Sequence, residues 1–363
     1  MHSFLEKSFI VEACIWERPN INQEIKIATN STIYCKKIPV ASKNKIRGGA
    51  IISGLELIQE FFQGFIFILL KRPNVIIIQN HRQFLHLFSA FIYKILNIVD
   101  VKIVWDLREI PNGFENYRIT RFIFSKLCAI PDFIWVMNNG RMNHIILKYQ
   151  LSYKNFHVVP NYCELKYWDA PKDPLNNSIQ SFLKRSTYVY VQNPFNKERY
   201  GFNSIASVLY ETDNKVICSG HISGDLKIQL CNQFGEEFIS ERVLFTGSLQ
   251  ESQLKSLIDN CKFSIILYDS SIINNYYCDA NRLYQCISRD IPVIVGINPG
   301  LSDYVHTYNL GLITKDDGSN INYLRQVVRK LESKLEQSMV NDFTEARENM
   351  AWEQNKSVFD LLG

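Results

Sequence analysis

The chain has 363 residues, 46% of them hydrophobic and 21% charged, which is room for two globular domains rather than one. Its nine cysteines form no CxxC pair and no Cys/His cluster at zinc spacing, which argues against a disulfide framework or structural zinc and for a reducing, cytoplasmic compartment. The net charge of +4 is uneven: residues 1–170 hold 21 Lys/Arg against 13 Asp/Glu, so the first half is expected to meet something anionic, a phosphorylated acceptor or a membrane surface. Without an RGG-like tract, a basic arm or an aromatic RNA-binding signature, nucleic acid is not the expected partner.

The start, MHSFLEKSFIVEACIWERP, lacks a basic region followed by a long apolar core, so no signal peptide is expected. The most apolar run, FFQGFIFILLKRP, is about half the length of a membrane span and reads as a core or membrane-surface helix. Strands are predicted over 9–14, 75–79, 102–106, 133–137 and 156–159. Helices are predicted over 54–70, 82–97, 118–129 and 140–149. A polar, Pro-bearing linker follows at 162–178. The second half repeats the alternation, with strands over 188–191, 215–219, 243–246, 263–267 and 292–295. Its helices are predicted over 203–209, 223–234, 251–260, 282–288 and 320–338. The segment DFTEARENMAWEQNKSVFDLLG reads as one further amphipathic helix.

Solid apolar strands alternating with helices imply parallel sheets, and here the pattern occurs twice. The expected fold is α/β, with two doubly wound, Rossmann-like domains facing across a cleft and ligands at the carboxyl ends of the strands. The expected boundaries are 1–165 for an acceptor domain, 166–340 for a donor domain, and 341–363 for a helix returning to the first domain.

The run ANRLYQCISRDIPVIVGINPGLSDYVHTYNLGLI resembles the donor-binding segment of GT-B glycosyltransferases, particularly the retaining group called family 4. VLFTGSLQESQLKSLIDNCKFSIILYD resembles that family's V-x-F-x-G strand and following helix. VIIIQNHRQFLHLFSAFIYKILN with KIVWDLREI resembles its first-domain pair, and AWEQNKSVFDLL its returning C-terminal helix. The resemblance implies transfer of a sugar from a nucleotide-sugar donor to a glycan acceptor. That acceptor is expected to be linked to a lipid diphosphate, in synthesis of a bacterial surface polysaccharide such as O-antigen, capsule or lipopolysaccharide. The protein would then work in the cytoplasm, at the inner face of the membrane. It also implies retention of configuration.

On the donor side, Asn281, Arg282 and Leu283 open a short helix, and helix starts present N–H groups to phosphate. Arg282 is either a phosphate ligand or a solvated helix residue. Gln285 stands where the family has the Glu that holds the ribose, and Cys278 stands seven residues earlier where its second Glu would be. Gly300, Leu301 and Ser302 lie in the sugar-side turn of NPGLSD. Lys197 and Arg199 are the candidates to neutralise the leaving diphosphate, and His221 follows a strand end. No Asp-x-Asp ends a strand, so no metal and no other cofactor is expected. On the acceptor side, His81 follows a buried strand, where it would position a hydroxyl or shuttle a proton, or be structural. Arg108 replaces the family's His in DLRE, and would bind phosphate or carboxylate, or pair with Glu109 as a structural fork. If the reaction inverts configuration, Asp106 or Glu109 is the candidate base. Two rival readings stay open: a nucleotide-sugar epimerase of the same architecture, and a non-catalytic transferase-like partner subunit.

Overall fold

The computed structural model describes residues 13–16, 35–38, 50–79, 84–96, 100–110, 117–163, 173–183, 187–192, 194, 197–337 and 342–362. The chain divides into two compact units, Met1–Val159 with Lys356–Gly363, and Pro160–Asn355.

In the first unit, β1 (Ala13–Trp16) and β2 (Cys35–Ile38) form a separate parallel pair. The second of these was not expected from sequence, because two lysines interrupt its short apolar run. The main sheet is parallel in the order β3 (Val75–Gln79), β4 (Lys102–Leu107), β5 (Phe133–Val136) and β6 (Phe156–Val158). Strand β4 is the core of this unit, with Ile103, Val104, Trp105 and Leu107 all fully buried. Helix Arg118–Leu127 follows it and packs Phe124 between Trp105 and Tyr149, with ring centroids 5.5 and 4.3 Å away.

The second unit holds a six-stranded parallel sheet. Its strands are β7 (Tyr188–Gln192), β8 (Lys215–Ser219), β9 (Val243–Gly247), β10 (Phe263–Ile266), β11 (Val293–Val295) and β12 (Gly311–Ile313). Their order is β12-β11-β10-β7-β8-β9. The chain therefore builds outward from β7 in one direction, then restarts at β10 and builds in the other. Alternating side chains feed two separate cores. Tyr188, Tyr190, Ile266, Val293 and Val295 enter one, and Val189, Val191, Phe263, Ile265 and Ile294 enter the other. Both faces are covered, which is why these strands read as unbroken apolar runs.

Strand β12 was absent from the sequence reading. It has three half-buried residues and opens on Gly311 at φ +155°, where a Cβ would lie 1.9 Å from the carbonyl oxygen of Val293. Only glycine lets this edge strand approach β11, and glycine is weak evidence for a strand.

The terminal segment is not one helix. It splits into helix Thr344–Asn349, a 3-10 turn over Trp352–Asn355, and helix Lys356–Asp360. The break has a cause: Ala351 bridges Cys163, and the Trp352 N–H donates to the Cys163 carbonyl at 2.9 Å. Phe343, Ala346 and Met350 join a core of the second unit, while Phe359 sets its ring edge-on to Trp135 of the first, 5.8 Å between centroids.

Candidate donor site

In a doubly wound sheet the ligand crevice opens where the strand order reverses, outside the carboxyl ends of the two central strands. In the second unit those strands are β7 and β10. The segment after β7 carries Lys197 and Arg199 in a 3-10 turn, and the segment after β10 begins with Leu267 and Tyr268.

Helix Asn281–Ile287 brings Arg282 to the same place. Arg282 is buried, not solvated, at 8% exposure. Its Nη1 donates to the Gln192 carbonyl at 2.9 Å, and its Nη2 donates to the Tyr268 hydroxyl. The Arg282 guanidinium lies 5.1 Å from the Tyr268 ring centroid, and the Arg199 guanidinium 5.4 Å from the same centroid. One aromatic ring thus gathers two cations. Burial, then repulsion from Arg282, lowers the Arg199 pKa below its ordinary value. Two guanidiniums on one ring, beyond the carboxyl ends of the central strands, have the chemistry to bind an anion with more than one charge.

The loops that carry these groups are tied to each other. The Asp269 N–H donates to the Glu198 carbonyl at 2.7 Å, and Asn275 Nδ2 donates to Glu198 Oε2 at 3.2 Å. The buried Asp317, after β12, accepts from the Ser270 N–H at 2.8 Å, the Ser270 hydroxyl at 2.9 Å and the Tyr200 hydroxyl at 3.0 Å. Burial alone would raise its pKa, but these hydrogen bonds outweigh it and the net shift is downward. Gly201 closes the turn against Pro194, whose carbonyl oxygen a Cβ would meet at 1.9 Å.

Three side-chain carbonyl oxygens of this unit are buried without a hydrogen-bond partner among the described residues: Gln192 Oε1, Gln285 Oε1 and Asn298 Oδ1. Gln192 ends β7 and Asn298 follows β11, both on the carboxyl edge, and Gln285 lies one turn beyond Arg282. Such orphaned acceptors suit hydroxyl donors such as those of a ribose or a sugar.

The other predicted positions fall into two groups. Asn281, Lys197 and His221 are exposed, and Gly300 and Ser302 are half-buried. Leu283 and Leu301 are fully buried core residues. The Leu283 N–H is taken by the Ala280 carbonyl at 2.8 Å, and the Leu301 and Ser302 N–H groups by the Asn298 carbonyl at 2.9 Å each. Asp279, beside Cys278, is turned into the fold, where its carboxylate accepts from the Asn161 N–H at 2.8 Å and from the Tyr284 hydroxyl.

The first unit carries its own cluster at the carboxyl end of β4. Asp106 is buried, and Arg108 Nε donates to its Oδ2 at 2.8 Å. Burial raises the Asp106 carboxyl pKa, opposed by the Arg108 charge and hydrogen bond. Glu109 is exposed, and Arg108 makes an ion pair with Asp106. Arg141, on helix Asn139–Tyr149, donates from Nη1 to the Arg108 carbonyl. His81, with Asn80 and Arg82, lies outside the described residues. Tyr268, Gln192 and Arg141 were not singled out from sequence, and Asn298 only as the first residue of NPGLSD. Tyr268 and Gln192 had a usable signal, their places at the ends of the apolar runs of β10 and β7.

Two parallel α/β units, with a C-terminal helix belonging to the first, define the GT-B fold. No family model matches the chain, and no curated protein matches it in sequence. Solved structures do match. The Anabaena HepE protein in complex with UDP and glucose aligns with TM-score 0.65 at 11% identity, over 92% of this chain and 85% of that one. Sucrose-phosphate synthase from Thermosynechococcus elongatus aligns with TM-score 0.70 at 11% identity, over 99% and 90%. A UDP-N-acetylglucosamine 2-epimerase aligns with TM-score 0.57 at 12% identity, over 88% and 79%.

Proposed function

We propose that the chain is a glycosyltransferase that takes its sugar from a nucleoside-diphosphate donor bound by the second unit. The observation that carries the reading is the Arg199–Tyr268–Arg282 cluster at the reversal point of the sheet. An acceptor hydroxyl oxygen attacks the anomeric carbon, the bond from that carbon to the phosphate oxygen breaks, and the diphosphate leaves with the electron pair. Arg199 and Arg282, with Lys197 at the rim, neutralise the charge that develops on it, so no metal is needed. The unpartnered carbonyls of Gln192, Gln285 and Asn298 accept from donor hydroxyls. With retention, the acceptor proton passes to the departing phosphate oxygen. With inversion, a carboxylate must take it, and Asp106 or Glu109 is then the candidate. The acceptor we favour is a glycan on a lipid diphosphate, in assembly of a bacterial surface polysaccharide, with the protein at the inner face of the cytoplasmic membrane.

The test is thermal stability against UDP, GDP, ADP, TDP and CMP, followed by transfer assays with the base that binds. A ligand that binds only the folded state raises the melting temperature by mass action. A flat panel would remove the donor site and favour the non-catalytic partner. A second reading, an epimerase, draws on the fold shared with UDP-N-acetylglucosamine 2-epimerase. It requires conversion of a nucleotide sugar with no acceptor present, whereas a transferase leaves the sugar's configuration at C2 intact.

A further inference from the structure

Helix Arg118–Leu127 joins β4 to β5, and its sequence from Tyr117 to Lys126 is YRITRFIFSK. The inner face explains its position: Phe124 and Leu127 are buried, and Phe124 is wedged against Trp105 and Tyr149. Folding asks nothing of the outer face. Yet Tyr117, Ile119, Phe122 and Ile123 all point outward, between 43% and 69% exposed. Arg118, Arg121 and Lys126 are interleaved with them and also exposed, and the run contains no acidic residue. Lys126 lays its ammonium 5.2 Å from the Phe122 ring centroid.

We infer that this helix is a membrane-docking element that lies on an anionic lipid surface, its apolar side chains entering the headgroup boundary and its three cations meeting lipid phosphates. The charge pattern selects this occupant. Protein interfaces enrich rings and arginine but deplete lysine, and here Lys126 lies against the exposed Phe122 ring. A helix lying in a bilayer surface instead combines rings and aliphatics with flanking Arg and Lys, whose long stems reach the headgroups. Among the described residues no helix is long and apolar enough to cross a membrane, so contact of this kind would be from the surface. Helix Ala50–Lys71 of the same unit exposes Ile58, Phe62, Ile66 and Leu70 at four-residue spacing and ends in Lys71, with Arg72 next, a second exposed apolar stripe beside cations. The inference gives a location to the membrane contact proposed above, but it does not depend on sugar transfer.

The test is flotation of the full chain with vesicles of phosphatidylcholine alone, or of phosphatidylcholine with phosphatidylglycerol. The wild-type protein is expected to float with the anionic vesicles, to be released by high salt, and to ignore neutral ones. Each cation near an anionic surface is worth about fivefold in partition, so R118Q/R121Q/K126Q should bind about 100-fold more weakly. F122S/I123S should also lose binding. All five side chains are exposed, so melting temperatures should stay unchanged, and so should any stabilisation by UDP. That last readout separates this inference from the donor-site reading. Failure of the wild type to float with anionic vesicles would overturn it, as would equal binding by the charge variant. A concentration-dependent dimer dissolved by F122S/I123S, with no vesicle binding, would assign the face to a second copy of the chain instead.

Discussion

Arg199→Met separates what the donor site needs from what the fold needs. In the free protein Arg199 touches the Tyr268 ring and shares it with the Arg282 cation. The two guanidinium centres are at most about 10 Å apart, since each lies near one ring centroid. Their repulsion is then at least about 0.4 kcal/mol in water and at least about 1.7 kcal/mol at a protein surface. Against this stands one cation–π contact, about 0.5–1 kcal/mol at a partly exposed site. The repulsion offsets or outweighs the contact, so Arg199→Met should cost less than about 1 kcal/mol of unfolding stability. The bound diphosphate reverses the balance. A charge-assisted hydrogen bond is worth about 1.5–3 kcal/mol, so nucleoside-diphosphate affinity should fall roughly 10- to 150-fold. Calorimetric titration of the tightest-binding diphosphate, beside scanning calorimetry of the free proteins, measures both numbers. A stability loss above about 2 kcal/mol with affinity unchanged within twofold would refute the assignment and make Arg199 a structural residue.

Gln285→Leu should stabilise the free protein by about 1 kcal/mol by removing a buried unpartnered carbonyl, while weakening the nucleoside diphosphate more than inorganic pyrophosphate; equal weakening of both would take Gln285 away from the ribose. Asp317 has a depressed folded pKa, so its stabilisation is complete above the unfolded carboxylate range and is lost as pH falls through the folded value. Wild-type melting temperature should therefore drop below about pH 4, and Asp317→Asn should flatten that acid limb while costing about 2–4 kcal/mol at neutral pH, because Ser270 and Tyr200 lose an anionic acceptor. Gly201→Ala forces a Cβ into the Pro194 carbonyl and should cost about 1–3 kcal/mol, with diphosphate affinity falling as the Lys197–Arg199 turn shifts; unchanged values in denaturant melts and titration would contradict this packing. If Arg199 and Arg282 replace a metal, transfer should be insensitive to a chelator; abolition by EDTA with recovery on adding a divalent cation would count against that role.

The strands and helices were legible because their signals are local. The runs YVYVQ, KVICS and FSII are apolar on both faces, and that alone announces a parallel sheet covered twice. The positions of Lys197, Arg199 and Arg282 on loops and a helix start could be read the same way. Where the local signal fails, the structure differs: β12 is three residues led by a glycine, β2 is half lysine, and the terminal helix breaks where Ala351 and Trp352 bond to Cys163, far away in sequence. No periodicity could say that Arg282 is buried rather than solvated. That follows from its contacts with the Gln192 carbonyl and the Tyr268 hydroxyl, supplied by two other strand ends. Nor could sequence say that Arg108 pairs with Asp106, or that Asp279 is turned into the fold. Composition and period determined which segments become strands and helices, because burial of apolar side chains is written residue by residue. Which charges meet was decided only by tertiary packing, since the partners of each are brought together by the order in which the strands assemble.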